Sequence, residues 1–237
     1  MSRVLIVNAD DFGLSSGVNR GIARAHDEGI VTSTSAMVRQ DAIEEAAELA
    51  RTRPKLSVGL HIDLSEWVYH AGEWVPLYEV VVGEDRAAVE AEVAAQLASF
   101  LSLFGRQPTH LDSHQHRHLE DPVRSVVVDV GRRLGVPVRQ CTPGIEYRGD
   151  FYGQSGRGDP FPEAISVDAL LRLLSSLPEG VTELGCHPAA EPEENSSYSA
   201  ERPLELESLC DSRVRAAVKS EDIALISFAT LSGSVPD

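Results

Sequence analysis

The 237-residue chain is short of several things. Cysteine is scarce: Cys141, Cys186 and Cys210 are odd in number, and no two stand in a C-x-x-C spacing. That argues against a disulfide framework or a cysteine zinc site and for a reducing compartment. Positive charge is short as well, with 21 Lys and Arg against 37 Asp and Glu and a formal net charge of −16. Nucleic acid and anionic membrane surfaces are therefore poor partners, whereas neutral or cationic ligands are favoured. No stretch approaches the roughly 20 apolar residues of a membrane span. A strand begins almost at once, which leaves Met1-Ser2-Arg3 no room for a signal peptide, so a cytoplasmic protein is expected. Internal repeats, low-complexity tracts and linkers are missing too, and one domain over residues 1–237 is expected.

What is present is a regular alternation. Apolar or β-branched runs at 3–9, 32–38, 56–64, 108–114, 136–141, 181–187 and 223–231 read as strands. Between them lie helical patterns, such as Val18, Ile22 and Ala25 after a Ser15-Ser16 cap, and the stripe Val89, Val93, Leu97, Phe100, Leu101 and Phe104. Residues 66–83 and 142–162 break the pattern and read as long loops. Seven strands alternating with helices predict an α/β fold with a parallel sheet: a TIM-barrel-like (β/α) barrel, closed or nearly closed. An open doubly wound sheet is the alternative, because strand order is not legible.

A barrel of this kind carries its chemistry at the C-terminal ends of its strands. Asp10 and Asp11 end the first strand, His61 and Asp63 the third, His114 the fourth and His187 the sixth, with Arg139 near the end of the fifth. Two adjacent carboxylates after an apolar run repel each other, and burying them is costly. A divalent cation resolves this: one carboxylate coordinates it while the other accepts a proton from water. A helix N-cap beside a solvated charge is the plainer reading of an Asp-Asp pair, but Ser15-Ser16 is the nearer cap. The stretch "HLDSHQHRH" (110–118) adds imidazoles, and two His with one carboxylate leave coordination positions open for water and substrate. The "DFG" at 11–13 lacks every other part of a kinase and is set aside. His187, in "GCHP", is placed to act as a general acid, and Arg139 either holds a carboxylate or caps a helix.

The blocks "LIVNADDFGLSSGVNRGI…GIVTSTSAMV", "GLHIDL", "PTHLDSHQHRH", "FYG" and "CHPA" resemble, in order and over nearly the whole chain, the YdjC-like carbohydrate deacetylases, which include chitooligosaccharide deacetylases. The resemblance implies hydrolysis of the acetamide of an N-acetylated sugar with one divalent metal ion, Mg²⁺ or Zn²⁺. Carried over by position, Asp11, His61 and His114 are the metal ligands, Asp10 the catalytic base and His187 the general acid; in the mechanism this implies, Arg139 is expected to orient Asp10. His116, His118 and Tyr152 are assigned to the substrate; the loop aromatics Trp67, Trp74, Tyr147 and Tyr152 either stack on sugar rings or pack against the barrel rim. A small carbohydrate is the expected partner, and a homodimer is implied as well. The competing readings are a metal-dependent phosphoesterase or amidohydrolase on the same barrel, and a non-catalytic sugar- or metal-binding protein. Phosphate chemistry would want cationic groups at the mouth, and few Lys or Arg are expected there.

Overall fold

The structure is a computed structural model describing residues 2–194 and 196–231. Met1, Asn195 and residues 232–237 of the expected domain lie outside the described residues. In chain order the elements are β1 (Arg3–Phe12), α1 (Ser16–Asp27), β2 (Ser33–Ala36), α2 (Ile43–Arg51), β3 (Ser57–Ile62), β4 (Ser65–His70), β5 (Glu73–Glu79), α3 (Arg86–Phe104) and β6 (Leu111–Ser113). There follow α4 (Val123–Leu134), β7 (Ile145–Arg148), α5 (Val167–Ser175), β8 (Gly180–Cys186), α6 (Glu201–Cys210), α7 (Ser212–Ser220), β9 (Ile223–Leu225) and α8 (Phe228–Leu231).

One parallel sheet runs in the order β6-β3-β2-β1-β8-β7. The short β9 pairs the start of β1, from Arg3 to Leu5, while β2 pairs its end. Strand alternation sorts the side chains. Leu5, Val7 and Ala9 of β1, Val58, Leu60 and Ile62 of β3, and Leu184 and Cys186 of β8 face the helices and build the core. The opposite, concave face carries Asn8, Asp10, Ser35, His61, Asp112 and Glu183, every one of them buried. Gly59 makes room there, since a Cβ would stand 2.4 Å from the His110 ring.

Several expectations are corrected. The full barrel is an open, curled half-barrel, because β6 and β7 at the ends of the sheet are not paired. The strand expected at 136–141 contributes a single bridge, Leu111 to Val138. Its extension fails because Gln140 adopts φ +55° and the Cys141 and Thr142 amides turn back onto the Val138 carbonyl. The "loop" at 66–83 is the antiparallel hairpin β4–β5, turned by Ala71 and Gly72 at φ +53° and +98°. That left-handed pair is the geometry two-residue hairpin loops demand. The helix expected at 203–219 is two helices, and the last strand stops at Leu225. Of the described helices only α3 has the length and apolarity to cross a membrane, and it packs on β3 and α4 through residues such as Val89, Val93 and Phe100.

Candidate active site

The two aspartates are separated by backbone conformation. Asp11 has φ +69°, and the β1–β2 register slips between Ala9 and Phe12. This bulge lets neighbours that would otherwise point to opposite faces serve one site.

Asp11 faces two imidazoles. Its Oδ1 lies 3.3 Å from His61 Nε2 and 3.3 Å from His114 Nδ1. Donors about 2.1 Å from a common cation stand roughly 3.0 Å apart in an octahedron and 3.4 Å in a tetrahedron. Asp11 Oδ1 and His61 Nε2 are buried without a hydrogen-bond partner, as a cation's ligands would be before it binds. The donor set therefore fits a divalent metal. His61 is aimed by its other nitrogen, which meets Asp112 Oδ1 at 2.9 Å, the carboxylate–histidine support typical of metal ligands. A second cluster of potential donors, Asp10, His61 and Asp112, is already neutralised by Arg139.

Asp10 belongs to that arginine. Arg139 Nη1 and Nη2 grip its two oxygens at 2.6 and 2.7 Å, and Asn8 Nδ2 donates to Oδ1 at 2.8 Å. Arg139 also reaches Asp112 at 2.9 Å and Glu183 at 2.7 Å. His187 Nε2 stands 3.9 Å from Asp10 Oδ2, and its backbone N–H donates to Glu205 at 2.5 Å. Tyr152 and Tyr198 edge the His187 ring at 5.4 and 5.3 Å. A cavity of about 890 Å³ opens over Asp10, Asp11, His61, His114 and His187.

The electrostatics follow the partners. Burial works to raise the carboxyls of Asp10 and Asp11, but Arg139 beside the first and Arg202 with the two histidines beside the second outweigh it and lower both. Burial works against charge on His61 and His114 too, yet the facing carboxylates raise His61 well above its usual range and His114 to about 9. Burial pushes Glu183 up to about 7 despite Arg139.

The structure therefore brings Asp10, Asp11, His61, His114, Arg139 and His187 together. His116 and Tyr152 line the cavity, whereas His118 does not. Expected at the substrate, His118 is instead fully buried and bonded through both ring nitrogens, to Ser113 Oγ and the Arg139 carbonyl. The expected shortage of cations at the mouth is also corrected. Besides Arg139, the buried Arg202 of α6 donates from Nη2 to Asp11 Oδ2 at 2.7 Å and lines the cavity. Nothing local in the sequence marks Arg202. Glu183 could have been found, since it shares a strand face with Gly185 and His187.

The chain is similar to several known proteins over nearly its whole length. Residues 4–220 match the family model described as YdjC-like protein. A carbohydrate deacetylase of Geobacillus stearothermophilus is 36% identical over 96% of this chain and 98% of its own length. A chitooligosaccharide deacetylase of Klebsiella pneumoniae is 35% identical over 92% and 95%. A crystal structure of a candidate cellobiose-phosphate cleavage protein from Enterococcus faecalis superposes with TM-score 0.79 at 28% identity, covering 98% of this chain and 99% of that one. A family 4 acetyl xylan esterase from Clostridium thermocellum, solved with a cobalt ion, shares the fold at TM-score 0.57 and 12% identity, over 99% and 93% of the two chains. The family model over residues 4–220, with relatives 35–36% identical over nearly the whole of both chains, places the chain in the YdjC-like protein family.

Proposed function

We propose that the protein is a metal-dependent carbohydrate deacetylase, hydrolysing the acetamide of an N-acetylated sugar to acetate and an amino sugar. The observation that carries this reading is the division of labour between neighbouring aspartates: Asp11 turned to His61 and His114, Asp10 turned to Arg139 and His187. A binding protein would need only the first set. The names borne by the relatives support the substrate class.

Asp11, His61 and His114 would hold the cation. When bound, a divalent ion supplies Lewis acidity that polarises a carbonyl and acidifies water. Asp10, kept ionised by Arg139, takes the proton of the attacking water. Both Asp10 oxygens are tied to the guanidinium, so the carboxylate is held in one orientation rather than free to rotate. His187 gives a proton to the departing nitrogen, which amide cleavage requires because an amide anion is a very poor leaving group. Tyr152 and Tyr198 limit where the His187 ring can swing. The amino-sugar product is a cation at neutral pH, and a protein of charge −16 does not repel it. Three unpaired cysteines support a reducing compartment, and we place the enzyme in the cytoplasm.

The test is acetate release from N,N′-diacetylchitobiose by protein stripped with a chelator and resupplied with Zn²⁺, Mg²⁺, Mn²⁺, Co²⁺ or Ni²⁺. Release that returns only with metal is expected. A protein that binds metal yet releases no acetate from this or any other N-acetylated sugar would sink the reading.

A further inference from the structure

Arg139 and Arg202 meet their aspartates differently. Arg139 closes its fork on both oxygens of Asp10, whereas Arg202 spends a single donor on Asp11, Nη2 to Oδ2 at 2.7 Å. The other terminal nitrogen of Arg202, Nη1, is buried without a hydrogen-bond partner, and so is Asp11 Oδ1. A second N–H···O bond between those two atoms would complete the ordinary arginine–carboxylate pairing. Forgoing it leaves a buried donor and a buried acceptor unmatched, which is costly. Oδ1 instead faces His61 Nε2 and His114 Nδ1, 3.3 Å from each.

The single grip is built into the fold. Arg202 is the second residue of α6, and its carbonyl accepts from the Ala189 amide at 3.3 Å, which ties that turn of helix to the segment after His187. Its Nε donates to the Tyr198 carbonyl at 2.7 Å, and the guanidinium carbon lies 5.6 Å from the centre of the Tyr198 ring. Tyr198 is held in turn: its hydroxyl donates to Glu205, further along α6, and accepts from the Gly153 amide at 2.8 Å. Fixed at Nε and at the ring, the fork is kept from turning to take both Asp11 oxygens.

We propose that Arg202 is a positioning residue that makes Asp11 a one-oxygen metal ligand: by occupying Oδ2 it leaves only Oδ1 for the cation. Two histidines and one carboxylate oxygen leave more coordination positions to water and substrate than a chelating carboxylate would. The guanidinium charge also offsets that of Asp11, so the cation is held less tightly than by the three donors alone. The arrangement discriminates against Ca²⁺, which favours many oxygens, often from chelating carboxylates. This rests on the metal-dependent reading above.

The infrared difference spectrum on adding Zn²⁺ to chelator-stripped protein reads the ligation directly. The antisymmetric and symmetric carboxylate stretches lie far apart for one-oxygen binding and close together for chelation, and the Asp11 bands are those that Asp11→Asn removes. A wide separation is expected in the parent. In Arg202→Met, Oδ2 is free to join Oδ1: the separation narrows, Zn²⁺ affinity by calorimetry rises about tenfold or more, Ca²⁺ affinity rises further still, and acetate release falls. A narrow separation in the parent, which needs no variant to fold, overturns the proposal and leaves the deacetylase standing. So does an Arg202→Met protein that binds Zn²⁺ no more tightly than the parent with the separation still wide. A parent that binds no divalent cation overturns both this proposal and the metal-dependent reading.

Discussion

Asp10 and Asp11 are neighbours in the chain with different partners, and their substitutions should separate accordingly. Asp10→Asn leaves the Asp11, His61 and His114 donors in place, so metal affinity by calorimetry stays close to that of the parent. Turnover should fall about 10²–10⁴-fold, the usual worth of a positioned base; an unchanged rate would remove Asp10 from that role. Arg139 is a different case, because it neutralises Asp10, Asp112 and Glu183 at once in a fully buried place. Arg139→Met strands those carboxylates and should cost about 3–5 kcal/mol in denaturant unfolding. The sign with pH follows from the lowered Asp10 and Asp112. A lowered carboxyl stabilises the fold above its unfolded value and loses that contribution as pH falls through its folded value. The deficit of Arg139→Met should therefore be full at pH 5 and shrink as pH falls below about 4, where the parent loses that contribution, and a deficit that stays constant from about pH 6 down to pH 3 would mean that the arginine acts by packing alone. At this scale the grouping of these residues was largely legible, because Asp10, Asp11, His61 and His187 each stand at the end of an apolar run and His114 stands at the end of an expected strand in a histidine-rich stretch. Arg202 was not, because it reaches Asp11 from 191 residues away, and His118 was misread because histidine density says nothing about which way a ring points.

Elements were legible wherever one physical signal dominated. The helices α1 and α4 follow their apolar spacing, with Ser15 capping the first through the Val18 amide and Gly135 closing the second at φ +68°. The β4–β5 hairpin was missed because its faces are mixed, with aromatic, acidic and prolyl residues breaking the alternation that marks a half-buried strand. The fifth strand was overcalled because an apolar run does not reveal that the chain will turn at Gln140. The polar side of β3 offers a test of the strand pattern itself. A Cβ on Gly59 would meet the His110 ring at 2.4 Å, and that ring is held by Phe228 stacked at 3.9 Å. Gly59→Ala should cost about 1–3 kcal/mol of overpacking in denaturant melts. A neutral result would show that His110 has room to move.

The molecule as a whole is a half-barrel whose concave side is polar and charged, where a closed barrel would have layers of apolar residues. The alternation of strands and helices announced the class of fold, but closure depends on whether β6 and β7 meet, which no local pattern records. A concave face rich in carboxylates calls for positive charge, and protons and a metal compete to supply it. Without metal, the raised His114, at about 9, and the raised His61 bind protons at pH 7 that a cation must displace. A histidine whose folded value is raised stabilises the fold fully below its unfolded value of about 6.5 and loses that contribution as pH rises through its folded value. Metal-free protein should thus lose stability between about pH 6.5 and pH 9 from this source, whereas the metal-loaded form is protected increasingly as its ligands deprotonate. Glu183, which titrates near 7, weighs on both forms and drops out of their difference. At a hundredfold excess over Kd the cation should add about 2.7 kcal/mol, or roughly 5–10 °C in Tm for a chain of this length. Melting curves with and without the metal across that range should diverge as pH rises, and calorimetry in buffers of different ionisation enthalpy should record protons released on binding. Curves that stay parallel, with no proton release, would mean that His61 and His114 are not the groups the cation displaces protons from, and that the metal sits elsewhere.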